Sequence, residues 1–253
     1  NFVTRELSTF FIFKMNYEER VYRSLINKSN LISYRVQIKE SDLFISSDTN
    51  LSSQACLSLG KHRDHLEAYI RTYPHFKTSL LPLPPDPSAP AIVSEMLQKS
   101  ALCGVGPMAC VAGAIADFVG SDLTGLFTDL IIENGGDIYL NSQKQLTVSI
   151  FAGESALSYK LHLIVKPEQC PIGICTSSAS VGPSLSFGNA DAVCVLAKTA
   201  TLADAAASAI GNRVKGKSTI KNCLDWGMEI PGVSGIVIVV ENNFGAIGDV
   251  EFA

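Results

Sequence analysis

Leu130-Ile131-Ile132-Glu133-Asn134-Gly135-Gly136-Asp137-Ile138-Tyr139-Leu140 is the stretch on which the fold turns. Two short apolar, β-rich runs flank a pair of glycines, and glycine accepts the positive φ angles that a tight reversal needs. The same glycines let a ligand come close to the backbone, while Asn134 and Asp137 either hold the turn or meet ligand hydroxyls. Asn-Gly is a strong hairpin signal by itself. The run therefore carries two readings: a structural turn, or a turn that is also one wall of a site.

On the N-terminal side, Tyr34–Lys39 and Asp42–Ile45 alternate in polarity and predict a hairpin across Glu40-Ser41. Cys56, Leu57, Leu66, Tyr69 and Ile70 fall at helical spacing and predict a helix over Ser53–Tyr73, with Pro74 as its stop. The prolines of Leu81–Ala91 exclude a helix or a central strand there. Each flank looks too small to close a core alone, so this segment is expected to cross within one domain rather than to divide two. Met108–Val119 is a small-residue helix able to pack closely on a sheet. On the C-terminal side the strand-like runs are Leu146–Phe151, Leu161–Val165, Ala192–Ala197, Gly235–Val240 and Ile247–Phe252, with a second small-residue helix at Leu202–Val214. Helices in blocks between antiparallel-looking strands indicate an α+β fold, with the two small-residue helices as neighbours on a mostly antiparallel sheet.

The 253 residues carry a net charge of -4, with 47% hydrophobic and 17% charged residues, which points to a well-buried core and away from disorder or a nucleic-acid-binding surface. Seven cysteines in no C-x-x-C pair read as reduced, buried thiols in a cytoplasmic protein. The uncharged run Ser100–Ala116 is broken by glycines and Pro107 and is shorter than the roughly 20 residues a membrane span requires. No membrane association is expected, and no secretory signal is read near the N-terminus. Met15 reads as a natural start, which leaves residues 1–14 as an extension and 15–253 as one domain. His62, His65 and His75 lie among charged residues and read as a solvated face. The strand-rich, apolar chain also suggests a homo-oligomer.

Two further segments bear on chemistry. Gly173–Gly182 combines hydroxyls and small residues, a composition that exposes backbone groups to phosphate or to a hard cation, although serine-rich turns are common without either. Asp204 and Ser208 stand four apart on one helical face and would suit Mg²⁺ with loop carbonyls opposite. An aspartate so near a helix start equally serves the helix dipole. Neither a Gly-x-Ser-x-Gly elbow, a His-Glu-x-x-His pair nor a Gly-x-Gly-x-x-Gly fingerprint is present, so the commonest hydrolase and dehydrogenase readings lose support.

Tyr17–Arg23, Lys39–Leu43, Gly104–Met108, Ala112–Ala116, Glu133–Asp137 and Leu185–Gly188, taken in order, resemble the UPF0280 family from about Met15 to the C-terminus. That family is regarded as a distant branch of the ApbE-like superfamily, whose better-known members move FMN from FAD to a protein threonine using Mg²⁺. The resemblance implies a T-fold-like α+β architecture. It also implies a flavin-side motif in Asn134, Gly135, Gly136 and Asp137, a loop motif in Thr176, Ser177 and Ser178, and metal ligation by Asp204 and Ser208 with a backbone carbonyl near Ala179. The implied ligands are FAD or FMN with Mg²⁺, and the implied partners are a small-molecule flavin or nucleotide and a protein acceptor. The transferases' His-x-x-Asp-Pro segment has no counterpart here, their loop glycine is Ser178, and Pro183 stands where histidine is expected within the nearer family. These departures leave a non-catalytic flavin or nucleotide carrier, or an accessory protein in sulfur or cofactor metabolism, beside the transferase.

Overall fold

The structure is a computed structural model that describes residues 31–179 and 187–253. β1 (Ile32–Ile38) and β2 (Ser41–Ser47) form the expected hairpin, reversed one residue earlier than the sequence suggests, across Lys39-Glu40 with Lys39 at φ 51°. Four helices follow: α1 (Ser52–Thr72), the short α2 (His75–Thr78), α3 (Ala91–Cys103) and α4 (Val111–Asp122), the last entered through a 3-10 turn at Pro107–Cys110. β3 (Leu130–Asn134) and β4 (Asp137–Asn141) come next, then β5 (Leu146–Ser149), β6 (His162–Val165), β7 (Ile172–Ser177) and β8 (Ala192–Ala197). α5 (Ala200–Arg213) and α6 (Ile220–Met228) precede β9 (Val233–Val240) and β10 (Asn243–Gly248).

Eight strands make one sheet in the order β1-β2-β3-β4-β7-β8-β9-β10, every neighbouring pair antiparallel. The topology is two ββ-helix-ββ halves joined edge to edge at β4 and β7. Strands from both sides of the proline connector share this sheet. The α+β expectation holds, and the sheet alternates as a two-sided one must: Ile172, Ile174, Cys194 and Leu196 face one way, Cys175, Val193 and Val195 the other. The second face carries the helices. The first is covered by the separate β5-β6 hairpin.

Several local expectations shift. On α1 the buried face is Ala55, Ser58, Leu59, His62 and Leu66, while Cys56 and Leu57 are exposed. His62 is therefore not on a solvated face. It lies under Phe118, with its Nε2 2.9 Å from Asp122 Oδ2, and burial pulls its pKa down although Asp122 pulls it up. The other six cysteines are buried or half-buried free thiols, and burial pushes Cys103 to about 12 and Cys194 to about 11. Helix α3 begins directly after Pro90 and ends on Gly104 in the left-handed region, a start and a stop that the proline-rich and glycine-rich surroundings conceal.

Candidate functional site

The turn between β3 and β4 has two central residues, Gly135 at φ 72° and Gly136 at φ 104°, with Asn134 and Asp137 paired across it. Two consecutive positive φ values explain the Gly-Gly pair, and the main-chain twist suits the hairpin. Asn134 and Asp137 both point to the helix face. The Asn134 side-chain amide donates to the Ala112 carbonyl at 3.0 Å, which fastens the turn to the start of α4. On the opposite face Glu133 accepts from the Gly136 amide at 2.9 Å, closing the turn on itself.

The start of α4 is bound in turn to α5. The Asp204 carboxylate accepts the Gly113 amide at 2.9 Å and also takes the Ala112 amide. In the reverse direction Asp117 on α4 accepts the amides of Ala200 and Thr201 at 2.8 and 2.7 Å and the Thr201 hydroxyl at 2.6 Å. Each helix thus supplies the carboxylate that satisfies the other's first amides, an arrangement favoured by the positive helix N-terminus. The crossing is close enough that a Cβ on Gly113 would lie 2.2 Å from the Ala200 carbonyl oxygen and 2.9 Å from Asp204 Cβ. The sequence offered Asp204 as an aid to its own helix; the structure shows it serving a different one. Asp117 escaped the sequence reading, because its partners lie more than eighty residues away in the chain.

Burial is the largest influence on Asp204 and raises its pKa to about 7; the two amides oppose that rise, and the nearby Asp117 charge adds to it. Asp117 is also raised by burial, against the Thr201 hydroxyl and the two amides.

Asp137, Asp204 and Ser208 line one cleft of about 210 Å³. Met108, Ala112, Lys77, Leu80 and Phe187 line it as well. Ser208 donates its hydroxyl to the Ala109 carbonyl at 3.3 Å, which leaves the oxygen's lone pairs as its remaining capacity. Among the described residues no group of three His, Cys, Asp or Glu side chains is arranged to hold a metal. A cation at Asp204 would accordingly take its other ligands from hydroxyl, carbonyl, phosphate and water oxygens, a donor set that fits Mg²⁺ and does not fit zinc.

The hydroxyl segment divides. Thr176 and Ser177 belong to β7 rather than to a loop. Thr176 turns its side chain to the Cys194 thiol on the face away from the helices, whereas Ser177 faces α5, where a Cβ on Gly211 would stand 3.5 Å from its Oγ. The Thr176 carbonyl nonetheless approaches Gly136. Ser178 is half-buried beyond the strand, and Ala179 is exposed with its amide on the Ala190 carbonyl at 3.0 Å. Ser180–Gly182, Pro183, Leu185 and Ser186 lie outside the described residues, as do residues 1–30 with Tyr17–Arg23 and Met15. Of the three motifs, the glycine turn and the α5 face thus meet in one cleft through Asp137, Asp204 and Ser208. The hydroxyl strand adjoins the turn through backbone.

Solved flavin transferases share this architecture. An ApbE flavin transferase mutant from Vibrio cholerae superimposes with TM-score 0.56 at 10% identity, covering 87% of this chain and 97% of that one. The apo flavinyl transferase ApbE of Pseudomonas stutzeri gives 0.52 at 13%, covering 86% and 94%. At such identities the likeness is one of fold, and the fold class is ApbE-like. The family model described as AbpE bacteria matches residues 23–229. A UPF0280 protein of Methanococcus aeolicus is 37% identical over 229 residues, 87% of this chain and 91% of that protein. One from Methanocaldococcus jannaschii is 39% identical over 222 residues, 85% and 90% of the two chains. The chain belongs to the UPF0280 family. Among its described residues no single helix is long and apolar enough to cross a membrane.

Proposed function

We propose that the cleft binds FAD or a related nucleotide pyrophosphate together with a divalent cation, with Asp204 and Ser208 as protein ligands to the cation and Asp137 beside them. The observation that carries this reading is that three oxygen-bearing side chains from the β3-β4 turn and α5, far apart in the chain, line one cleft in an ApbE-like fold. When bound, the cation supplies positive charge to phosphate oxygens. The chain's own residues do the rest. Asp204 is oriented by the Ala112 and Gly113 amides, Ser208 presents lone pairs because its proton is committed to Ala109, and Asn134 ties the glycine turn to the same helix start.

Two readings of the outcome share this cleft: transfer of FMN to a protein acceptor, and binding without transfer. A specific observation favours the second. None of the chain's four histidines, His62, His65, His75 and His162, lines the cleft. The absent His-x-x-Asp-Pro segment points the same way. Anaerobic isolation followed by mass spectrometry of the bound ligand tests the proposal. A flavin nucleotide recovered at near-stoichiometric yield supports it, and a protein that neither retains nor takes up FAD in the presence of Mg²⁺ contradicts it. Incubation with FAD and Mg²⁺ then separates the two outcomes, because release of AMP requires transfer or hydrolysis.

A further inference from the structure

Lys77 lines the same cleft as the two carboxylates and takes part in no hydrogen bond or ion pair through its side chain among the described residues. Its backbone is closely held. Phe76, one residue before, is buried and packs edge-on against Tyr69 at 5.2 Å. Ser79, two residues after, is pressed on Gly106, where a Cβ would come within 1.8 Å of the Ser79 carbonyl oxygen. A lysine fixed between two anchors, facing a cleft that contains two aspartates and pairing with neither, has a charge to give to a ligand.

The charges of the cleft indicate which ligand. A phosphate group brought in with a divalent cation adds negative charge that neither Asp137 nor Asp204 can meet. Among the described residues that line the cleft, Lys77 is the one with a cationic side chain. The cleft's volume, about 210 Å³, is below the ~300 Å³ at the lower end of whole-ligand pockets, so it has room for the phosphate-bearing part of a nucleotide while a ring system lies toward the mouth. Leu80 and Phe187 also line the cleft and are 59% and 55% exposed, and the Phe187 amide is fixed by the Asn212 side chain at 2.9 Å.

We propose that Lys77 is the phosphate-recognising residue of this cleft, and that it makes the protein select phosphorylated flavins over the phosphate-free flavin. This inference rests on the flavin-nucleotide reading above and assigns to it a residue and a discrimination. The role is electrostatic, since a lysine acts on phosphate as a mobile point charge, so arginine in its place should serve nearly as well.

The test is equilibrium binding of FMN and of riboflavin in MgCl₂ to the wild-type protein, Lys77→Gln and Lys77→Arg, followed by flavin fluorescence. Wild type is expected to prefer FMN, and Lys77→Gln to lose about tenfold of that preference, the effect of one charge-assisted hydrogen bond, while keeping the share supplied by the cation and its riboflavin affinity. Lys77→Arg is expected to retain the wild-type preference. An unchanged FMN preference in Lys77→Gln, with Mg²⁺-dependent binding intact, overturns the inference and leaves the flavin reading standing. Absence of Mg²⁺-dependent flavin binding by wild type overturns both. Because Lys77 is exposed and unpaired among the described residues, melting curves of the two variants are expected to coincide with wild type.

Discussion

Replacing Asp204 with asparagine should stabilise the metal-free protein at alkaline pH, opposite to the usual effect of altering a hydrogen-bonded buried group. The folded protein raises this carboxyl from 3.8 to about 7. Between those values the folded chain holds a proton that the unfolded chain releases, so wild-type stability falls as pH rises through the window and levels off above it. At about 1.4 kcal/mol per pH unit, the charge costs about 4 kcal/mol at pH 8. Asparagine removes the charge and keeps one carbonyl oxygen to accept the Gly113 amide, while the loss of the second amide contact takes back about 1 kcal/mol. The expected net is a gain of about 2–3 kcal/mol at pH 8, shrinking to nothing or reversing near pH 4, where both side chains are neutral. Urea unfolding followed by circular dichroism in EDTA, at several pH values from 4 to 8, measures the difference. The repulsion between Asp117 and Asp204 is relieved in the variant and acts in the same direction as the loss of the Asp204 charge. A wild-type-minus-variant difference that stays flat within about 1 kcal/mol over the whole range would refute the reasoning.

Other substitutions probe the same crossing. Gly113→Ala forces α4 away from the Ala200 carbonyl and from Asp204; by the usual cost of overpacking it should destabilise by about 1–3 kcal/mol or more, lowering the melting temperature by several degrees and weakening cation-dependent ligand binding, so wild-type melting and binding would dismiss the close-contact argument. Asp117→Ala orphans the amides of Ala200 and Thr201, and a loss of about 2–5 kcal/mol in urea unfolding is expected; a loss below 1 kcal/mol would mean that water replaces the carboxylate.

How much of this was legible in the sequence depends on how local each cause is. The β3-β4 turn was readable because two adjacent glycines with apolar flanks have few other uses, and the close packing of α4 on α5 was readable from their alanines and glycines. Helix α6 was missed although Ile220, Cys223, Leu224 and Gly227 repeat at helical spacing, since nine residues with a glycine near the end give a weak pattern. On α1 Leu66, Tyr69 and Ile70 pack on the core as their spacing suggests while Cys56 and Leu57 do not, and Ser58 and His62 occupy core positions that an apolar count passes over because their place depends on Asp122 some sixty residues further on. For the candidate site the chemistry of Asp204 was visible but its environment was not. An exposed aspartate at a helix start contributes about 0.3–1 kcal/mol, which predicts that its removal leaves the fold untouched. Its contacts with the α4 amides instead couple stability to binding, and for that reason asparagine is the informative substitution where alanine would confound the two.

The central claim is that one cleft holds a flavin nucleotide through a cation on Asp204. Isothermal titration of FAD into wild type, Asp204→Asn and Ser208→Ala, each with MgCl₂ and with EDTA, tests it most directly. The account predicts binding by wild type that is lost in EDTA, at least a tenfold loss in Asp204→Asn even with MgCl₂, and a smaller loss in Ser208→Ala, because only the carboxylate brings a full charge to the cation. Wild type and Asp204→Asn binding FAD with equal, equally Mg²⁺-dependent affinity would contradict it.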